Sequence, residues 1–450
     1  MIPANELRAW CQRQAIALAD EPASAASVDF GRWQVAPPAF VLHPSDIDQL
    51  CSCMQFLAEQ RQPYVFRGAA HSSGGQTLFA GGLVIDLGRL CRVLGDDPNR
   101  EEITVEGGMT WRALLEHLAA QGRRPLGLTS CFDATVAGTV AVGGFCDTTH
   151  LYGLLTAAVR SLQLVTPDGR LHHVYPGDPL FDYSLAGRGQ LGALAAITLR
   201  TLRRPIGLTI RSVTWPSLAD LLRDSLVIAQ LGLYEFLRSR LFFRDGGWHG
   251  QAMFGHFSER DAAVPPAVEI DALRPDSLSE LGQVPLHEYL HEDTPPAWPY
   301  ACPAVEVALP VPRGLAIWER LAQHLHDHGL VPFLDHGIAV MLVPRQATVL
   351  APLPDADYSF LVAIRPRIPP QEVQRYLPSL RQLSALAIQE GGCLYLMSVE
   401  PDGQVLRLQY GERWQRWCAV KDAVDPLGLC CPGLLRPTAA PERLPFATDR

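Results

Sequence analysis

The chain has 450 residues, 48% of them hydrophobic, and carries 38 Lys and Arg against 47 Asp and Glu for a net charge of −9. That length supports two or more packed domains with real cores, while an acidic balance without long runs of either sign excludes the electrostatic footprint of a nucleic-acid or anionic-membrane binder. Residues 1–29 mix Glu6, Arg8, Arg13, Asp20 and Glu21 among apolar residues and lack a secretory core, and no segment reaches spanning length, so a small-molecule partner and a cytoplasmic location are expected.

In chain order, residues 45–60 place Ile47, Leu50, Met54 and Leu57 at helical spacing behind a Ser45 cap. Strands are predicted at 64–66, 83–87 and 103–106. Trp111, Leu114, Leu115 and Leu118 then mark an amphipathic helix between Thr110 and Gly122. A glycine-rich stretch follows, and two strands at 161–166 and 194–202 flank a Pro167-Asp168-Gly169 turn. From about residue 205 the pattern restarts: a strand at 208–215, a helix at 217–231 and a hairpin around Asp245-Gly246-Gly247. Helices at 313–328 and 371–390 enclose strands at 338–343 and 359–364. These patterns read as two α+β domains without an internal repeat.

The eleven cysteines have no disulfide-like spacing, which fits reduced thiols. Cys51 and Cys53 stand two apart and Cys430 and Cys431 are adjacent, neither of which gives zinc-site geometry, and the histidines are dispersed, so no metal is expected.

The segment with most chemistry is Arg67-Gly68-Ala69-Ala70-His71-Ser72-Ser73-Gly74-Gly75-Gln76, small residues between two strands. Consecutive backbone N–H groups without bulky side chains form an anion nest, and a diphosphate suits one. A second stretch, Thr135-Val136-Ala137-Gly138-Thr139-Val140-Ala141-Val142-Gly143-Gly144, reads as a loop wrapping the same ligand or as a tight turn beside packed strands.

With Gly81-Gly82-Leu83-Val84-Ile85-Asp86-Leu87, His150-Leu151-Tyr152-Gly153, Leu185-Ala186-Gly187-Arg188-Gly189-Gln190-Leu191-Gly192, Phe360-Leu361-Val362-Ala363-Ile364-Arg365 and Lys421-Asp422-Ala423-Val424-Asp425-Pro426, these segments resemble FAD-linked oxidases of the vanillyl-alcohol oxidase type. Within them the chain is most similar to cytokinin dehydrogenases and their bacterial relatives. The resemblance implies an α+β fold with a two-part FAD-binding domain, residues 1–204 and 405–450, around an inserted α+β substrate (cap) domain, residues 205–404. It implies FAD held by Arg67, Gly68, Ala69, Ala70, His71, Ser72, Gln76, Thr135, Gly138, Thr139, Gly143 and Gly144, and bonded covalently through His71, whose neutral imidazole is a suitable nucleophile for the flavin 8α-carbon. Cys131 and Cys146 are displaced from the position of a second tether in some relatives and read as packed residues.

The family's catalytic aspartate precedes the threonine-led loop, and Asp133 is the acid in the comparable place, about three residues nearer to it. Asp133 reads as the general base or as a turn residue capping local N–H groups. Trp215-Pro216-Ser217 stands where relatives carry an acidic-aromatic pair, and Leu434 follows Pro432-Gly433 where they carry a Gln, which implies a substrate other than a plant-type cytokinin. The stretch Trp298-Pro299-Tyr300-Ala301-Cys302-Pro303 matches the family's pocket wall or a packed core. The implied function is dehydrogenation of a small organic substrate at a C–N bond, with oxygen or another electron acceptor. The alternatives are C–O oxidation, oxidative cyclisation in secondary metabolism, and a non-catalytic flavin-binding protein.

Overall fold

The computed structural model describes residues 1–19, 24–127, 129, 131–203, 207–232, 234–258, 277–284, 299–311, 313–399 and 404–432. Ser130, Arg204, Pro205, Trp298, Pro401, Asp402, Gly403, Gly433 and Leu434, which bear on the expectations above, lie outside them, as does the rest of the chain after Leu434.

Three sheets take the strands in chain order. The first holds β1 (Ala17–Ala19), β2 (Phe40–His43), β3 (Tyr64–Arg67) and β4 (Leu83–Asp86) in the order β1-β2-β4-β3. β4 pairs in parallel with β2 and β3, and β1 runs antiparallel to β2. Strands covered on both faces read as unbroken apolar runs, as Leu83-Val84-Ile85 does. The crossover from β2 to β3 is the helix Ile47–Glu59, which buries Leu50, Cys53, Met54 and Leu57. Its cap is Asp46 rather than Ser45. The Asp46 carboxylate accepts from Gln49 N at 2.8 Å, while the Ser45 hydroxyl donates to the Gln49 side chain.

The second sheet is antiparallel and holds β5 (Val93–Asp97), β6 (Glu102–Glu106), β7 (Arg123–Pro125), β8 (Val159–Val165), β9 (Leu171–Val174) and β10 (Ala193–Arg203). Its order is β5-β6-β10-β8-β9, with β7 on the far end of β10. Trp111, Leu114 and Leu118 of the helix Trp111–Ala119 pack into its core with Ile103, Val105 and Val140. The stretch expected as a glycine-rich loop contains the helix Val136–Val142. Burial of Val136, Ala137 and Val140, together with the Thr135 hydroxyl accepting from Gly138 N at 3.1 Å, outweighs the roughly 1 kcal/mol helix penalty of Gly138. Gly143, at φ 95°, then ends the helix in the left-handed conformation.

The third sheet comprises β11 (Gly207–Trp215), β12 (Phe236–Arg244), β13 (Gly247–Ser258), β14 (Ser277–Val284), β15 (Val305–Pro310), β16 (Ile338–Pro344), β17 (Tyr358–Ile364) and β18 (Cys393–Leu394). All its pairs are antiparallel, in the order β14-β11-β13-β12-β16-β17-β15-β18. Asp245 and Gly246 both take positive φ, 51° and 81°, as the mirror-image turn of a two-residue hairpin requires. The helices Leu218–Leu231, Gly314–Asp327 and Val373–Gln389 pack against one face of the sheet, meeting Val305, Val307, Val340, Leu342, Phe360 and Val362. Strand alternation sends Glu306, Ala308, Ala339, Met341, Leu361 and Ala363 to the other face. That face meets the first half of the chain at Phe145 and Leu154. Arg238 fixes the contact, donating to both Asp147 oxygens at 3.1 and 2.7 Å. Among the described residues, no helix is long and apolar enough to cross a membrane.

Candidate functional site

Between the second sheet's helix Val136–Val142 and the inner face of the third sheet lies a cleft, open in part to solvent. The turn after β3 forms one wall. Ala70 adopts φ 55°, a left-handed conformation that costs an L-residue roughly 1–2 kcal/mol, so the surrounding contacts must hold it. Phe30 N donates to Ala70 O at 2.9 Å, Gly31 N to Ser72 O at 3.3 Å, Ser73 Oγ to Met397 O at 2.6 Å and Gln76 Nε2 to Ser398 O at 3.1 Å. Carbonyls and side chains thus anchor the turn, whereas among the described residues the backbone N–H groups of 69–73 donate to no protein acceptor. A row of such donors along a cleft suits a diphosphate. Gly68 allows this wall to touch the next, because a Cβ there would collide with Thr135 Oγ1.

Nine of the residues expected to bind the cofactor line the cleft: Gly68, Ala69, Ala70, His71, Ser72, Thr135, Gly138, Thr139 and Gly144. The other three support it from outside. Arg67 is buried and donates to Val28 O at 2.8 Å, Gln76 links the turn to Ser398, and Gly143 ends the helix behind Gly144. His71 stacks on Phe30 with ring centroids 5.7 Å apart, and burial lowers its imidazole pKa, with Asp133 pulling the other way, so the ring is neutral near pH 7. Its lone pair is then available for bonding to carbon.

Asp133 stands on the turn before Thr135, with Arg112 Nε at 2.8 Å from Oδ1 and Arg112 Nη2 at 3.3 Å from Oδ2. Its side chain is 37% exposed and is not among those lining the cleft. Cys131 does line it, with a thiol pKa raised by burial, whereas Cys146 is buried against Thr148 and Thr149.

Beyond the residues expected to form the site, the third sheet contributes Glu306 of β15, Arg238 and Arg240 of β12, Met341 of β16, Leu361 of β17, and Arg365 just beyond β17. Arg365 Nε donates to Glu306 Oε1 at 2.6 Å; Glu306 is 1% exposed and the Arg365 side chain 33%. The neighbouring carboxylate raises the guanidinium pKa, so Arg365 stays charged. The signal for these residues was in the sequence. Glu306 interrupts the apolar run Val305-Glu306-Val307-Ala308-Leu309, and Arg238 and Arg240 are two apart on one strand face.

An FAD binding domain family model matches residues 38–175, and the mixed helices and sheets are consistent with an α+β FAD-binding fold. The chain is an FAD-dependent oxidoreductase related to the cytokinin dehydrogenases. It is 24% identical over 428 residues to an uncharacterized oxidoreductase from the fasciation locus of Rhodococcoides fascians, covering 91% of this chain and 96% of that protein. It is 31% identical over 205 residues to cytokinin dehydrogenase 6 of Oryza sativa subsp. japonica and 28% identical over 177 residues to cytokinin dehydrogenase 2 of Arabidopsis thaliana. Those two matches cover 43% and 38% of this chain, and only 38% and 35% of the plant proteins.

Proposed function

We propose that the protein dehydrogenates a small organic substrate at a C–N bond, with FAD in the cleft between the turn after β3 and the third sheet. The observation that carries this reading is the convergence on one cleft of a row of uncommitted backbone donors, a half-buried neutral histidine and a sheet face bearing charged side chains in apolar surroundings. Residues 1–204 and 405–450 form the FAD-binding domain in this reading, and residues 205–404 cap it. Bound FAD supplies the two-electron acceptor, with oxygen or another acceptor reoxidising it.

The cleft-lining residues of 68–73 and 135–144 would hold the cofactor, and His71 would be the residue that tethers it. Asp133, two residues before the cleft-lining Thr135 and ion-paired with Arg112, is the base of this reading, the residue that would take the proton from the substrate heteroatom. Supporting a substrate unlike a plant cytokinin, Trp215 is fully buried with its Nε1 donating to Asp224 at 2.7 Å, so no acid enters the cleft from that position. All eleven cysteines are free, in keeping with a cytoplasmic protein.

Anaerobic mixing with panels of small amines and the matching alcohols tests the reading. Bleaching of the flavin's visible absorbance by amines and not by alcohols supports C–N oxidation. Bleaching by alcohols alone transfers the assignment to C–O chemistry, and a flavin that neither panel reduces favours a binding protein.

A further inference from the structure

We propose that Arg365 is the substrate-anchoring group of the cleft, binding a carboxylate or carbonyl oxygen of the substrate, and that Glu306 is its positioning residue. The proposal rests on the reading that this cleft holds the substrate, and it narrows the substrate class to small molecules with an apolar body and an oxygen acceptor at one end.

The placement follows from strand register. Glu306 lies opposite Ala363, Ala363 opposite Ala339, and Ala339 opposite Arg240, a lateral row across β15, β17, β16 and β12. At about 4.8 Å per strand the row spans roughly 14 Å. Two alanines in its middle keep the sheet surface low, and Leu361 opposite Met341 forms the next, apolar row. Arg365 follows Ala363 by two residues, shares its face, and is the diagonal neighbour of Glu306. A planar apolar body can lie over Ala339, Met341 and Leu361 with its polar end against the guanidinium.

The Arg365–Glu306 pair is not arranged as a closed structural salt bridge. Only Nε of Arg365 is engaged, by Glu306 Oε1, and among the described residues no hydrogen bond uses its two Nη groups. Glu306 Oε2 is buried and has no partner. A structural pair in an apolar sheet is favoured when both partners are saturated, because each uncommitted buried polar atom is costly. Here the carboxylate is fully buried behind and the guanidinium is partly exposed in front, at the cleft wall. Fixing Nε from behind orients the Nη edge, whose parallel N–H groups match a carboxylate in a way a lysine cannot.

Titration of the FAD-loaded protein with benzoate, followed by perturbation of the flavin absorbance, tests the anchor without turnover. Wild type binds benzoate and does not respond to toluene. Arg365→Met weakens benzoate about 10- to 100-fold, and Arg365→Lys, which keeps charge without the fork, falls between. Glu306→Gln, which keeps an acceptor for Nε, weakens it less than Glu306→Leu, and flavin content is unchanged throughout. Equal benzoate affinity in wild type and Arg365→Met, or no binding to wild type, overturns the proposal. Because benzoate affinity and flavin reduction by amines are read separately, Arg365-dependent binding without reduction by any amine overturns the C–N reading and leaves the anchor standing.

Discussion

At the residue scale, Asp133 and Glu306 place the two acids relevant to the cleft in opposite environments, one on a half-exposed turn and the other buried in a strand. General-base catalysis typically supplies 10²- to 10⁴-fold, so Asp133→Asn is expected to slow anaerobic flavin reduction by an active amine by about that factor without changing flavin content. An unchanged rate would remove Asp133 from the chemistry and leave it as Arg112's partner. Asp133 could be singled out from its place before Thr135, but its pairing with Arg112, 21 positions away, and its place outside the cleft lining could not. Glu306 and Arg365 are 59 positions apart and meet only through the β15–β17 register, which periodicity within either strand does not reveal. His71 was legible from its small-residue surroundings, but its neutrality depends on burial by Phe30, which lies far from it in sequence.

At the element scale, amphipathic periodicity placed the long helices and most strands within a few residues, because one-sided burial imposes that period directly. It failed at residues 135–144, where small residues hide a helix held by tertiary contacts: Val136 N donates to Met109 O at 2.8 Å and Ala137 N to Gly107 O at 3.0 Å. The fit of this helix to the turn after β3 depends on Gly68. Gly68→Ala drives a methyl group into the Thr135 side chain, and the purified variant should hold at least about 5-fold less FAD per chain, since one overpacked contact costs roughly 1–3 kcal/mol. Gly95→Ala, whose Cβ meets only Thr104 at 3.9 Å, should retain full flavin content. Equal flavin content in the two variants would show that the close approach of turn and helix is not needed.

At the scale of the whole molecule, buried titratable groups set how the fold responds to acid. Burial pushes His150 and His336 down to about 4 from 6.5. The unfolded chain therefore binds more protons than the native one between pH 6.5 and 4, and stability falls as the pH falls through that window, by on the order of 3 kcal/mol per histidine. Asp29 opposes this. Burial raises its carboxyl to about 6 from 3.8 even though it accepts Gly75 N at 2.7 Å, so the native state takes up a proton as the pH falls through 6 and regains stability on the same order. Thermal melts at pH 7.0, 5.5 and 4.5 should show Tm decreasing with acid, and more steeply in Asp29→Asn, which removes the opposing proton uptake. A shallower slope in the variant would contradict the assignment.

The sequence pattern restarts near residue 205, and the strands of the third sheet all lie beyond that point. Which face of the third sheet meets the cleft was not readable, since it is settled by tertiary contacts such as Arg238 with Asp147. The most direct test of the account is to precipitate the purified protein in acid, digest the pellet with trypsin and locate any flavin by mass. A yellow pellet and one flavin-bearing peptide, residues 68–89, with the modification on His71 are expected. Flavin left entirely in the supernatant, or carried by a peptide without His71, would contradict that expectation.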